Sequence, residues 1–126
     1  MPQTQVNIYQ DAGGRVPLLE WLDSQPQKIV DKFTQRFDLL AQYGYNARRP
    51  MFDFLRDGIY EIRIRGGHVN YRVLYGFVGQ NVVLLSHGCT KKDKVPGGEI
   101  VQAIENLNKY KLSPKLHTYK GYDNET

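Results

Sequence analysis

A single cysteine, Cys89, occurs in the 126 residues. No disulfide can close within the chain, and a zinc site built from several thiolates is excluded. The three histidines, His68, His87 and His117, show no metal-ligand spacing, so neither a metal nor any other cofactor is expected. No apolar run approaches the ~18 residues of a membrane span, and Met1–Gln10 carries no signal-peptide pattern. No membrane partner is therefore expected, and a cytoplasmic location is the default. Internal repeats and low-complexity tracts are also missing.

What remains is the composition of one globular domain, with 40% hydrophobic and 24% charged residues. Positive charge is in modest excess, at +4 with a sequence pI near 9.2. Its placement says more than its size. Arg48, Arg49, Arg63, Arg65, Arg72, Lys91, Lys92 and Lys94 crowd into the middle and the following third of the chain. Such a concentration suits RNA or DNA, and it suits an acidic protein partner equally well.

Ile59 to Lys94 carries the clearest pattern. Apolar and polar residues alternate on both sides of Gly66-Gly67, as in a hairpin with a two-residue loop. That turn would set Arg63 opposite Asn70 and Glu61 opposite Arg72. A second two-residue turn at Gly79-Gln80 would set Tyr75 opposite Leu84 and Arg72 opposite His87. Side chains alternate across a strand, so Tyr60, Ile62, Ile64, Val69, Tyr71, Val73, Tyr75, Phe77, Val82 and Leu84 are expected inside. Glu61, Arg63, Arg65, Arg72 and His87 are expected together on the wet face of the sheet.

Around this meander the chain supplies supports. Val6 to Tyr9 alternates like a short strand. Pro17 suits the first turn of a helix ending near Asp23, with Leu18, Leu19, Trp21 and Leu22 on its apolar side. Ser24 and Gln27 suggest a capping box for a helix over about 26–43, with Ile29, Phe33, Phe37 and Leu40 as its buried stripe and Gly44 as its C-terminal cap. Met51 to Leu55 is a small strand or a packed loop, and Asp57-Gly58 is the turn into Ile59. Cys89 to Gly98 reads as a basic loop. A last helix is expected over about 99–111, burying Ile100, Ile104 and Leu107. The fold class is therefore α+β: a small antiparallel sheet of an N-terminal strand plus a three-stranded meander, two N-terminal helices on one face, and a C-terminal helix. Residues 1–112 form the domain, and 113–126 form a loose polar tail.

The order of these pieces resembles the RelE/ParE toxin superfamily, in its phage-derived, HigB-like branch. The resemblance runs over about residues 4–111. It is carried by Pro17 to Leu22, Gly58 to Arg63, Tyr71 to Tyr75, Leu84 to Gly88, the pair Lys91-Lys92, and Pro96 with Glu99-Ile100. It implies a toxin of a type II toxin–antitoxin pair that cuts mRNA on the ribosome, with a cognate antitoxin, mRNA and ribosomal RNA as partners. Oligomeric state stays open, a homodimer included. The resemblance matches Arg63 and Arg72 to basic positions of the meander, and Lys91 and Lys92 to the basic loop. This chain has Pro96-Gly97-Gly98 about where some relatives place acid and base groups.

Metal-free cleavage of RNA needs a base for the 2′-hydroxyl, an acid for the departing 5′ oxygen, and cations around the phosphorane. Arg72 and Arg63 are the candidate phosphate clamp. His87, with an intrinsic pKa of about 6.5, is the candidate proton carrier, and Glu61 is the alternative base. Lys91, Lys92, Lys94 and Arg65 are candidate RNA-backbone contacts. Each has a plainer reading: Glu61 and Arg72 as a cross-strand ion pair, the arginines as a solvated face, His87 as structural. A ParE-like inhibitor that binds DNA gyrase, or an inactive phage remnant that binds antitoxin or RNA, fits the same residues.

Overall fold

The computed structural model describes residues 4–91 and 95–121, with the side chain of Lys91 left aside. Its centre is the expected meander: β3 (Ile59–Gly66), β4 (Val69–Val78) and β5 (Val82–Lys91). β2 (Phe52–Arg56) adds an outer antiparallel strand. β1 (Gln5–Ile8) lies parallel to β5, so the sheet is mixed and runs β1-β5-β4-β3-β2. Three helices complete the α+β fold: α1 (Pro17–Asp23), α2 (Gln27–Tyr43) and α3 (Gly97–Leu112).

Both hairpin turns differ from the sequence expectation by small slips with unequal consequences. The first loop is Gly67-His68, because β3 keeps Gly66 in register with Val69. Only Gly67 takes a positive φ, at 63°, the conformation a primed hairpin turn demands at its first central residue. Gly66 stays in the strand beneath α2, where an added Cβ would stand 3.1 Å from Ile29 Cδ1. The pairing moves by two residues, Arg63 now facing Arg72, and every side chain keeps its expected face.

The second loop is one residue longer than expected, since Val78 pairs with Val82. That slip of one turns Val83 and Leu85 onto the face of Tyr75, and sends Leu84 to the opposite face. A β-bulge at Ser86 then corrects the phase, so that His87 pairs with Leu74 and Cys89 with Arg72. His87 therefore shares a face with Arg72 without standing opposite it, as had been expected.

α1 and α2 cover the first face. Leu18, Leu22, Ile29, Phe33, Phe37 and Leu40 bury against Val6, Ile8, Ile62, Ile64, Val73, Val83 and Leu85. The start of α2 has Pro26 at its N-cap and no side-chain cap, so the expected capping box does not form. Ser24 instead donates its hydroxyl to the Trp21 carbonyl and closes α1. α3 covers half of the second face, packing Ile100, Ala103, Leu107 and Tyr110 over Ile59, Leu74 and Leu84. The face expected to be wet is thus roofed at one end. Gly76 permits the approach: a Cβ there would meet Leu107 Cδ2 at 2.8 Å.

Both sheet edges are managed. Residues 113–121, expected to be loose, fold back along β1. There Tyr119 N–H donates to the Ile8 carbonyl (2.8 Å) and Gln10 N–H to the His117 carbonyl (3.0 Å). His117 is buried, stacks on Tyr9, and donates from Nδ1 to the Gln10 carbonyl. Burial, with Asp11 second, raises the Tyr9 hydroxyl above its ordinary pKa. Along β2, the Phe52 N–H turns to the Arg48 carbonyl (3.3 Å) and the Phe54 N–H to Asp53 Oδ1 (3.0 Å). Those donors are thereby withheld from any incoming strand. No helix among the described residues is long and apolar enough to cross a membrane.

Candidate nucleic-acid interface

The charges gather on the second sheet face, beside the apolar residues that pack against α3. Alternation along β3 puts Glu61, Arg63 and Arg65 there, and β4 adds Asn70 and Arg72. Because Arg63 and Arg72 are direct cross-strand partners, two guanidinium groups face each other, which is unfavourable by itself. Glu61 resolves the conflict from the diagonal position. Its Oε1 lies 2.7 Å from Arg72 Nε, and its Oε2 lies 4.0 Å from Arg63 Nη1. The Glu61 and Arg72 side chains are each 5% exposed, whereas Arg63 is 33% exposed. Arg72 is therefore a buried anchor for Glu61, and Arg63 is the member of the trio that reaches solvent.

Arg63 and Arg65 open onto a cavity of about 350 Å³ completed by Asn70, Pro50 and Met51. Arg65 is steadied from below by its Nε donating to the Gly67 carbonyl at 3.1 Å. Lys91 ends β5 opposite Asn70, so its backbone borders the same corner. Lys92 and Lys94 lie outside the described residues. The cavity can take an anionic group through two guanidinium forks and one side-chain amide, the donor set that suits a phosphodiester.

His87 belongs to a different constellation. The bulge at Ser86 turns two successive residues of β5 toward α3, and a directed chain of hydrogen bonds follows. Gln102 Nε2 donates to Asn106 Oδ1 (2.9 Å), and Asn106 Nδ2 donates to Ser86 Oγ (2.9 Å). Ser86 Oγ then faces His87 Nδ1 at 2.8 Å, and His87 Nε2 faces Glu99 Oε1 at 3.0 Å. The carboxylate of Glu99, in the first turn of α3, accepts from the imidazole at Nε2. A cavity of about 330 Å³ flanks the imidazole, between Tyr9, Asp11, Gln102 and Lys109.

Of the residues singled out from sequence, the structure thus brings together Glu61, Arg63, Arg65 and Arg72, and sets His87 apart under α3. Sequence reading missed Ser86 and Asn106. Asn106 had a signal: it is a polar residue inside the stripe of Ile100, Ala103, Leu107 and Tyr110. Ser86 had none, because its inward turn depends on the bulge. Among the described residues no group of His, Cys, Asp and Glu is arranged to hold a metal ion.

Fold and site together define a small α+β domain with a basic, half-open sheet face. Residues 20–108 match the family model described as phage derived protein Gp49-like (DUF891), and the chain belongs to that family. No curated protein matches the chain.

Proposed function

We propose that this protein is the toxin of a type II toxin–antitoxin pair, of the RelE/ParE superfamily and its HigB-like branch, acting in the cytoplasm as a ribosome-dependent mRNA endonuclease. The observation that carries this reading is the cavity where Arg63 and Arg65 reach solvent beside Asn70. In the proposed reaction the 2′-hydroxyl gives its proton to water as its oxygen bonds to the adjacent phosphorus, the bond from phosphorus to the 5′ oxygen breaks, and that oxygen leaves with a proton taken from water, giving a 2′,3′-cyclic phosphate and a 5′-hydroxyl. Arg63 neutralises the phosphorane oxygens, an effect worth ~10²–10³ in rate per donor removed. Arg65 and the basic segment after β5 hold flanking phosphates. Arg72 acts as a positioning residue, holding Glu61 and through it the side chain of Arg63.

This division of roles changes which substitution is informative. Arg72→Ala strands a buried carboxylate and confounds folding with function, whereas Arg63→Ala removes a partly exposed side chain. Expression of the wild type is expected to arrest growth and to create new mRNA 5′ ends by primer extension. Arg63→Ala is expected to lose both while the folded protein accumulates. A folded Arg63→Ala protein that still cuts mRNA would remove the proposed clamp.

One observation favours a second reading, inhibition of DNA gyrase by binding alone. Glu61 and Arg72 are buried against each other, and both ring nitrogens of His87 are engaged. A binding inhibitor needs none of these groups for proton transfer. Intact transcripts together with altered plasmid supercoiling would select it.

A further inference from the structure

The cavity beside His87 has polar walls that the fold itself leaves unused. Its volume is about 330 Å³, at the small end of the range that ligand pockets occupy. Tyr9 forms one wall and is only 2% exposed. Its ring is held by the stacked His117, yet its hydroxyl makes no hydrogen bond among the described residues. Asp11 is fixed by its own loop. Its Oδ1 accepts from the Gly13 and Arg15 N–H groups at 2.9 and 2.8 Å, which leaves Oδ2 without a partner among the described residues. On α3, Gln102, Asn106 and Lys109 recur at the spacing of one helix face. Gln102 Nε2 is engaged by Asn106 and its Oε1 is not, while the Lys109 ammonium has no partner among the described residues. Asp11 and Lys109 thus line one cavity as opposite charges that do not close on each other.

A buried phenol and two unpaired opposite charges around one space suit a ligand that donates at one end and accepts at the other. The rest of the lining supplies flat surfaces, the Pro17 ring and the His87 imidazole. Both nitrogens of that imidazole are engaged by Ser86 and Glu99, so it has only its face to offer. We propose that this cavity is a binding site for a guanine base. Asp11 Oδ2 and Gln102 Oε1 accept from the base N1–H and 2-amino group, Lys109 and the Tyr9 hydroxyl donate to O6 and N7, and the base lies against the imidazole. Adenine carries a lone pair at N1 where guanine carries a proton, and so would set an acceptor against the carboxylate. A phosphate in the cavity is repelled by Asp11. A free amino acid matches both charges and leaves the rings uncovered. A free guanine nucleotide and an unpaired guanine in RNA present the same edge. The site goes beyond the RNA-cleavage reading and does not rest on it.

The test titrates the full-length protein with GMP and AMP by calorimetry, and with two fluorescein-labelled strands by anisotropy, hexauridylate and the same strand carrying one guanine. In at least one format the guanine ligand is expected to bind tenfold or more tighter than its counterpart. Preference in the nucleotides, the strands or both bears the site out and identifies the source of the base. Asp11→Asn keeps Oδ1 and the loop but turns an acceptor into an N–H donor, and is expected to weaken guanine binding at least tenfold. The same variant is expected to gain affinity for xanthine in the same format, since xanthine carries an oxygen in place of the 2-amino group. A collapsed cavity cannot produce that gain. Tyr9→Phe, which keeps the ring on His117, is expected to weaken guanine binding severalfold. No guanine preference in either format, or a preference that survives both Asp11→Asn and Tyr9→Phe, overturns the site. A preference lost in Arg63→Ala and kept in Asp11→Asn puts the guanine in the basic cavity and overturns it too. Guanine preference that behaves as expected in a protein that cuts no mRNA bears the site out while removing the proposed function.

Discussion

The two faces of the sheet are built from the same strands and end up governed by different physics. Under α1 and α2 the contacts are apolar from Val6 to Ile64, and large rings such as Phe33 and Tyr75 fill the space. Under α3 the apolar contacts stop partway, and the remaining area is organised by charge: Glu61 between two arginines, and a hydrogen-bond chain from Gln102 to Glu99. An apolar face tolerates approximate solutions, because burial is non-directional. A charged one does not, since each buried group must find its partner at a specific distance. The functional candidates lie where directional constraints replace packing.

The sharpest way to test this contrast is Arg72→Ala. Loss of its partner leaves Glu61 buried and uncompensated, and the expected destabilisation is about 3–5 kcal/mol, measured by urea unfolding. Replacing Glu61 and Arg72 together by apolar residues of similar volume is expected to recover most of it. A mild Arg72→Ala phenotype would mean that water reaches the pair.

The glycines where helices meet the sheet come next in size. Gly88 lies under the Trp21 ring on the first face, where an added Cβ would run into the six-membered part of that ring. Gly88→Ala is expected to cost about 1–3 kcal/mol through overpacking. Gly76→Ala, against the movable end of Leu107 and the Gly58 carbonyl, is expected to cost less. The reverse order would show α3 to be the more rigid layer.

Arg63→Ala is expected to change stability by less than about 1 kcal/mol, in keeping with a partly exposed ion pair, while RNA binding or cleavage is lost. The smallest effect is a pH dependence on the apolar face. Burial, with Tyr60 and Asp53 as lesser causes, raises the Tyr75 hydroxyl well above its ordinary value. The stability this contributes is complete below the unfolded-state pKa of about 10 and is lost as pH rises toward the folded-state value. Ultraviolet titration is expected to show one tyrosinate appearing only with alkaline unfolding.

How much of this was legible in the sequence follows from the same contrast. Periodicity found α1, α2 and α3 and the alternating strands, because the first face rewards a simple pattern. Ile29, Phe33, Phe37 and Leu40 are all buried as expected. The grouping of Glu61, Arg63 and Arg72 survived a wrong turn, since a slip of two residues preserves faces. The place of Leu84 did not survive, because a slip of one exchanges them, and nothing local distinguishes a two-residue loop at Gly79-Gln80 from one that includes Asn81. The burial of Arg72 was invisible for another reason. An alternating polar strand looks solvated until the helix that covers its neighbours is in place.

The returning segment at Thr118 and the self-satisfied donors along β2 carry a consequence for handling the protein. With one flank already occupied and the other chemically quenched, the native sheet offers no ready template for fibril growth or edge-mediated clumping. Trimming the chain at Leu112 would strip the first of these guards, and concentrated samples of such a truncation should turn turbid where the intact protein stays clear.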